Sequence, residues 1–186
     1  PWMTAFALRA DGWYLRSDTI WHKPNPMPES VTDRPTKAHE YVFLLSKRAT
    51  YFYDSEAIAE RTTQPRGDRE QTGQHKTLIT GRHSGTLGSN QGPEERNARS
   101  VWTIASQPFA GAHFATMPPK RAERCILAGS RIGDEVLDPF LGSGTVGMVA
   151  ERNGRRWFGV ELNPKYEAII KQRTAQAGLF GRVGAA

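Results

Sequence analysis

The sequence predicts an α/β fold around a central, mostly parallel sheet, and three observations carry that expectation. Residues 135 to 173 alternate strand and helix signals twice, and a βαβα run builds a parallel sheet through a right-handed crossover. Both strands of that run end at an acid, Asp138 and Glu161, and the first is followed at once by a glycine turn. Upstream, Tyr41-Val42-Phe43-Leu44-Leu45 is a continuous apolar run, the pattern of a buried strand.

The elements follow in order. Pro1 to Ala10 reads as a short helix, apolar at Trp2, Met3, Phe6 and Ala7 and stopped by Gly12. Thr19 to His22 reads as a strand ending before Pro24, and Lys23-Pro24-Asn25-Pro26-Met27-Pro28 can be neither helix nor inner strand. Arg61 to Ser100 lacks apolar periodicity and holds six glycines, with seven basic side chains against four acidic ones, a net of +3. So long a stretch without regular structure points to a functional or disordered segment. Pro118 to Leu127 then reads as a helix, with Thr116 as N-cap and Gly129 past its end. Glu135 to Asp138 is a strand, Gly144 to Arg152 a helix closed by Gly154, and Trp157 to Glu161 a second strand. Asn163 caps a last helix that has Pro164 at its first position and runs to about Arg173. The tail from Gly178 is expected to fray. No internal repeat is found.

Composition narrows the class. The chain has 186 residues, a formal net charge of +6 and a pI near 9.7, a balance that suits a polyanionic partner. A single cysteine, Cys125, rules out a disulfide framework and a cysteine-rich zinc site. There is no apolar stretch of membrane-spanning length and no secretory signal, so a cytoplasmic location is expected and no membrane partner. The chain begins with Pro1 rather than a start methionine, which suggests processing or a fragment.

The chemistry concentrates in Val136-Leu137-Asp138-Pro139-Phe140-Leu141-Gly142-Ser143-Gly144-Thr145 and in Gly159-Val160-Glu161-Leu162-Asn163. Ligands of open α/β sheets bind outside the carboxyl ends of the strands. Gly142 and Gly144 let a ligand approach the backbone, and an acid about 20 residues beyond a glycine turn is placed to accept both hydroxyls of a ribose. Gly147 nearly completes a dinucleotide pattern with Gly142 and Gly144. Asp138 argues against a dinucleotide, because a carboxylate before the glycines repels a pyrophosphate but pairs with an ammonium. S-adenosylmethionine carries such an ammonium and a sulfonium. A nicotinamide-type oxidoreductase is the disfavoured alternative.

Asp138-Pro139-Phe140-Leu141-Gly142-Ser143-Gly144-Thr145 resembles the cofactor motif of the DNA amino-methyltransferases that modify adenine N6 or cytosine N4. His113-Phe114-Ala115-Thr116-Met117-Pro118-Pro119, with the helix through Cys125, resembles the segment that precedes that motif and closes over the methionine moiety. Ile20 to Glu29, with His39-Glu40-Tyr41, resembles the segment preceding the last two strands of the catalytic half. The order is similar to the permuted beta group of the family. Residues 1–60 would be the C-terminal part of the catalytic half, residues 61–100 a variable basic loop for target recognition, and residues 101–186 the cofactor-binding half.

The resemblance implies a Rossmann-like, S-adenosylmethionine-dependent methyltransferase fold, transfer of a methyl group to an exocyclic amine in DNA, and no metal. It implies that Asp138, Phe140, Gly142, Ser143, Gly144 and Thr145 shape the cofactor pocket, with Glu161 on the ribose. Asn163 would touch the adenine edge, or serve as a helix cap. Phe114, Thr116 and Pro118 would line the methionine side. Double-stranded DNA would meet Lys23, Pro24, Asn25, Arg61, Arg66 and Arg82, phosphates first and bases second. One departure stands out. The family's Asp/Ser/Asn-Pro-Pro-aromatic tetrapeptide, which polarises the target amine and stacks on the flipped base, is absent from the chain. In the permuted order it belongs before Pro1, together with two central strands, one of them the neighbour of Glu135 to Asp138. The sheet of this chain alone would then keep an open edge. Either that N-terminal segment or a homodimer mate is the expected partner. The alternative is an inactive remnant or a binding-only module.

Smaller signals carry less. Trp13 and Trp21 are expected to pack rather than stack on bases, His22 and His39 lack partners at ligand spacing, and Cys125 is expected to be buried and inert.

Overall fold

A computed structural model describes residues 1–61, 95–107 and 117–180. Helix α1 spans Trp2–Ala10 and ends ahead of Gly12, whose φ of 94° is left-handed. It buries Ala5 and sets Trp2 edge-on against Tyr41 and Phe43, with ring centroids 5.5 and 4.9 Å apart. Met3 and Phe6, expected on the apolar face, are exposed instead.

Strand β1, Tyr14–His22, pairs antiparallel with β2, His39–Ser46. It begins five residues before the expected start. A register shift between Leu15 and Ser17 breaks the two-residue alternation there and hides the strand from a pattern search. β2 is half-buried along most of its length rather than fully buried, because it pairs only with β1 among the described residues. Two-residue strands β3, Glu60–Arg61, and β4, Glu95–Arg96, pair antiparallel. The short β5, Val101–Thr103, adds in parallel on the other side of β1, aligning Trp21 with Trp102. Trp21, Trp102 and Ile104 make a core here, and the Trp21 indole N–H donates to the Ile104 carbonyl at 2.8 Å.

The second half holds the expected βαβα unit. Helix α2 is Pro119–Gly129, β6 is Glu135–Asp138, α3 is Thr145–Arg152 and β7 is Arg156–Gly159. β6 and β7 pair in parallel from Glu135↔Arg156 to Asp138↔Gly159. The helix ends shift from expectation. Pro118, extended and fully buried, stands at the N-cap of α2, while Thr116 lies outside the described residues. Gly129 is the last helical residue rather than the residue beyond, because the Ser130 hydroxyl closes the end by donating to the Ile126 carbonyl at 2.6 Å. The last helix also opens differently. Asn163 caps a 3-10 turn, Pro164–Tyr166, and α4 proper runs Glu167–Phe180, seven residues past the expected end.

One face of the β6–β7 pair packs on α2 and α3. Ala122, Ile126, Met148, Val149 and Ala150 form that core, with Val136 and Trp157 contributed by the strands. Gly147 is required by this packing, since a Cβ there would stand 2.8 Å from the Trp157 ring. On the opposite face Leu137 and Phe158 remain 63% and 60% exposed. Among the described residues the β6–β7 pair is separate from the β2–β1–β5 sheet. A groove of about 500 Å³ lies between Glu40–Val42 and Glu135–Leu137, lined also by α2 residues.

Candidate cofactor site

The site grows from the end of β6. Asp138 turns one carboxylate oxygen back to accept the Phe140 N–H at 3.0 Å, which starts the turn. Gly142 and Gly144 follow with φ of 53° and 80°, a backbone region that other residues enter only at a cost. Val160 donates its N–H to the Asp138 carbonyl and Leu141 donates to the Val160 carbonyl, both at 2.9 Å, so the two strand ends stay registered beyond the ladder.

Glu161 joins the two halves of the turn. One carboxylate oxygen accepts the Gly142 N–H and the other accepts the Asn163 N–H, each at 2.8 Å. Asn163 acts as a cap, its side-chain oxygen accepting the Lys165 N–H at 3.1 Å. Beside these groups opens a crevice of about 570 Å³ whose lining includes Leu141, Trp157, Gly159, Glu161, Asn163 and Ile170. Its size falls in the range of roughly 300–1,000 Å³ that holds small ligands. Phe140 and Leu162, 88% and 97% exposed, project from the segments on either side.

The structure therefore brings together Asp138, Gly142, Ser143, Gly144, Thr145, Glu161 and Asn163 at adjacent strand ends. Ser143 and Thr145 are buried, and both hydroxyls meet the Arg173 guanidinium. Pro118 stands apart at the start of α2, and Phe114 and Thr116 lie outside the described residues.

The residues expected to meet DNA are placed differently. Lys23 is ion-paired to Glu40 and stands 4.7 Å over the Trp21 ring. Arg121, from the first turn of α2, reaches the other Glu40 oxygen at 3.2 Å and lies 4.1 Å over the same ring. Burial alone would raise the Glu40 pKa, but Lys23 and Arg121 outweigh it and hold the carboxyl below its usual range. Asn25 accepts the Ser106 N–H at 3.0 Å and donates to the Ser106 carbonyl at 3.4 Å. Pro24 lies between these two anchored residues. Arg61 is exposed on β3, while Arg66 and Arg82 lie outside the described residues.

Three groupings escaped the sequence reading. They are Glu40 with Lys23 and Arg121, Arg173 with the glycine turn, and Glu60 with three arginines. Glu60 takes Arg99 at 2.9 Å, Arg96 at 3.5 Å and Arg124 of α2 at 3.8 Å, which ties the β3–β4 pair to helix α2. Each joins residues 17 to 81 positions apart or links separate elements, so no local spacing announces it. Cys125 also departs from expectation. It is exposed to the groove between β2 and β6 rather than buried, and the desolvation it meets there pushes its thiol pKa up.

A family model described as DNA methylase matches residues 3–172. The Type II methyltransferase M.Cfr9I of Citrobacter freundii is 47% identical over 173 residues, which are 93% of this chain and 48% of that protein. M.SmaI of Serratia marcescens, also a Type II methyltransferase, is 46% identical over 93% of this chain and 50% of its own length. The chain thus spans about half the length of the curated relatives it matches. Among solved structures, the cytosine-N4-specific PvuII DNA methyltransferase aligns with a TM-score of 0.65 at 21% identity, over 96% of this chain and 61% of that one. A DNA modification methylase of Thermus thermophilus, in complex with S-adenosyl-L-methionine, aligns with a TM-score of 0.58 at 27% identity, over 95% of this chain and 60% of that one. The fold is that of an α/β, Rossmann-like methyltransferase.

Proposed function

We propose a function for a chain that belongs to the DNA methylase family: it binds S-adenosylmethionine and supplies the cofactor half of a DNA amino-methyltransferase. The observation that carries this reading is the Glu161 carboxylate, which bonds the Gly142 N–H and so couples the acid of one strand end to the glycine turn of its neighbour. Each carboxylate oxygen has a second lone pair, and these are the acceptors for two ribose hydroxyls. Asp138 offers an anion to the cofactor's ammonium, and Gly142 and Gly144 admit it to the backbone. The crevice beside Glu161 and Asn163 takes the adenine. When bound, the cofactor supplies an electrophilic methyl carbon, which passes from sulfur to the exocyclic nitrogen of adenine or cytosine while that nitrogen loses a proton.

The group that polarises the amine comes, on this reading, from polypeptide outside the chain. The groove between β2 and β6 is the place for its strands. Both rims are strands with one neighbour among the described residues, and Leu137 and Phe158 are apolar side chains left without cover. The proposed DNA contacts are Arg61, Arg66 and Arg82. Lys23 and Asn25 shape the loop on either side of Pro24, since their side-chain polar atoms are already engaged with Glu40 and Ser106.

Calorimetric titration with S-adenosylmethionine and, separately, with NAD tests the reading. Binding of the first and none of the second is expected. Binding of NAD alone would replace this function with an oxidoreductase.

A further inference from the structure

A turn containing two glycines has no conformational preference of its own. Glycine loses more backbone freedom on ordering than any other residue, so a fixed shape at Gly142 and Gly144 must be imposed from outside. Glu161 holds one side of the turn through the Gly142 N–H. The other side meets α4. Ile170 stands where a Cβ on Gly144 would be 3.4 Å from its Cα, which keeps that position closed. One turn further along α4, half-buried Arg173 extends its guanidinium beneath the turn. Its Nη1 donates to the Ser143 carbonyl at 3.0 Å, the Ser143 hydroxyl at 2.7 Å and the Thr145 hydroxyl at 3.1 Å.

The geometry has a chemical consequence. Ser143 and Thr145 accept from Arg173, so their oxygens face inward and both side chains are buried. They hold the turn rather than line the crevice. The left-handed residues Gly142 and Gly144 flank Ser143, so the bonds at 143 and 145 fix the backbone at the point where a ligand would approach. An arginine suits this place because its planar fork remains charged when half-buried and offers several donors at fixed angles.

We propose that Arg173 is a positioning residue for the cofactor: it holds residues 142–145 in their ligand-ready shape without touching the ligand. The inference rests on the S-adenosylmethionine reading above. Replacing the side chain frees the turn, and the cofactor must then order it on binding.

The experiment is calorimetric titration of the full chain with S-adenosylmethionine, at a temperature where circular dichroism finds every variant folded. Arg173→Met should weaken binding roughly ten- to hundredfold, the equivalent of one or two lost charge-assisted bonds. Arg173→Lys keeps a cationic donor and should recover much of the loss. Ile104→Val, in the core of the other sheet, lowers stability without approaching the turn and should bind like wild type. Should Arg173→Met fail to fold, Thr145→Val removes one acceptor at constant shape and should weaken binding severalfold. Wild-type affinity in Arg173→Met, or in Thr145→Val where that variant stands in, would overturn the proposal. So would an equal loss in Ile104→Val, which would trace the effect to stability alone. Absence of binding by the wild-type chain would instead overturn the cofactor reading, and this inference with it.

Discussion

Replacing Glu161 tests the bridge between the strand ends most directly. The carboxylate accepts two backbone N–H groups at 2.8 Å, from Gly142 and from Asn163. Glu161→Ala leaves both donors without that partner. Hydrogen bonds to a charged group contribute about 1.5–3 kcal/mol each, and water reaching this half-buried site reduces that, so a total loss near 2 kcal/mol is expected. In a chain of this size that corresponds to a melting temperature lower by roughly 4–8 °C. Glu161→Gln has one oxygen and one amide nitrogen. It can accept from either Gly142 or Asn163, but it faces the other N–H with a donor, so it should fall between wild type and alanine. Cofactor affinity should follow the same order. Loss of the ribose acceptors and of the fixed turn should weaken S-adenosylmethionine about 10- to 150-fold in the alanine variant. Differential scanning calorimetry reads the first quantity and isothermal titration the second. Wild-type affinity in Glu161→Ala would refute the ribose assignment, and an unchanged melting temperature would refute the bridge.

Other perturbations separate parts of the fold. Gly147→Ala sets a methyl group 2.8 Å from the Trp157 ring and should destabilise by about 1–3 kcal/mol in denaturant titration; a neutral result would mean that α3 is free to shift. The depressed pKa of Glu40 gives a signed pH dependence: its ion pairs stabilise the fold above the ordinary value near 4.5, and that stability is lost as pH falls through the folded-state value. Glu40→Gln should therefore melt below wild type at pH 7 and match it in strong acid, and parallel curves across the range would contradict the assignment. Cys125, exposed but with its thiol pKa raised, should react with iodoacetamide in the native chain at alkaline pH, and co-expression with the part of M.SmaI outside the matched region should slow that reaction if the groove seats its strands. Unaltered reactivity in a complex that forms would place the partner elsewhere. In the full enzyme, Arg82→Ala should lower both DNA affinity and its salt slope, and an unchanged slope would remove Arg82 from the proposed interface.

The parts of the fold that were legible in the sequence are those in which neighbours in the chain are neighbours in space. From Glu135 to Asn163, strand, glycine turn, helix and strand follow one another as expected, though β7 is Arg156–Gly159 and Glu161 stands two residues beyond its end rather than in it, and the parallel pairing of β6 with β7 follows from connection handedness. β1 was legible only at its end, because the irregularity between Leu15 and Ser17 removes the alternation that reveals a strand. The end of α2 is not legible in the sequence because glycine and serine can both close a helix, and the choice depends on whether Ser130 reaches the Ile126 carbonyl.

Ser143 and Thr145 show the same limit at the site itself. A hydroxyl inside a glycine-rich turn is, on sequence grounds, an equally good ligand for a cofactor and for the protein. Its direction is decided by whichever donor is fixed nearby. Here that donor is Arg173, 28 to 30 residues further on and carried by a different helix. Its position depends on α4 packing over α3, with Ile170 set against Gly144. The tertiary contact between α3 and α4 therefore precedes the chemistry. Only when α4 is seated do the hydroxyls turn inward and fix the two left-handed glycines on either side of Ser143.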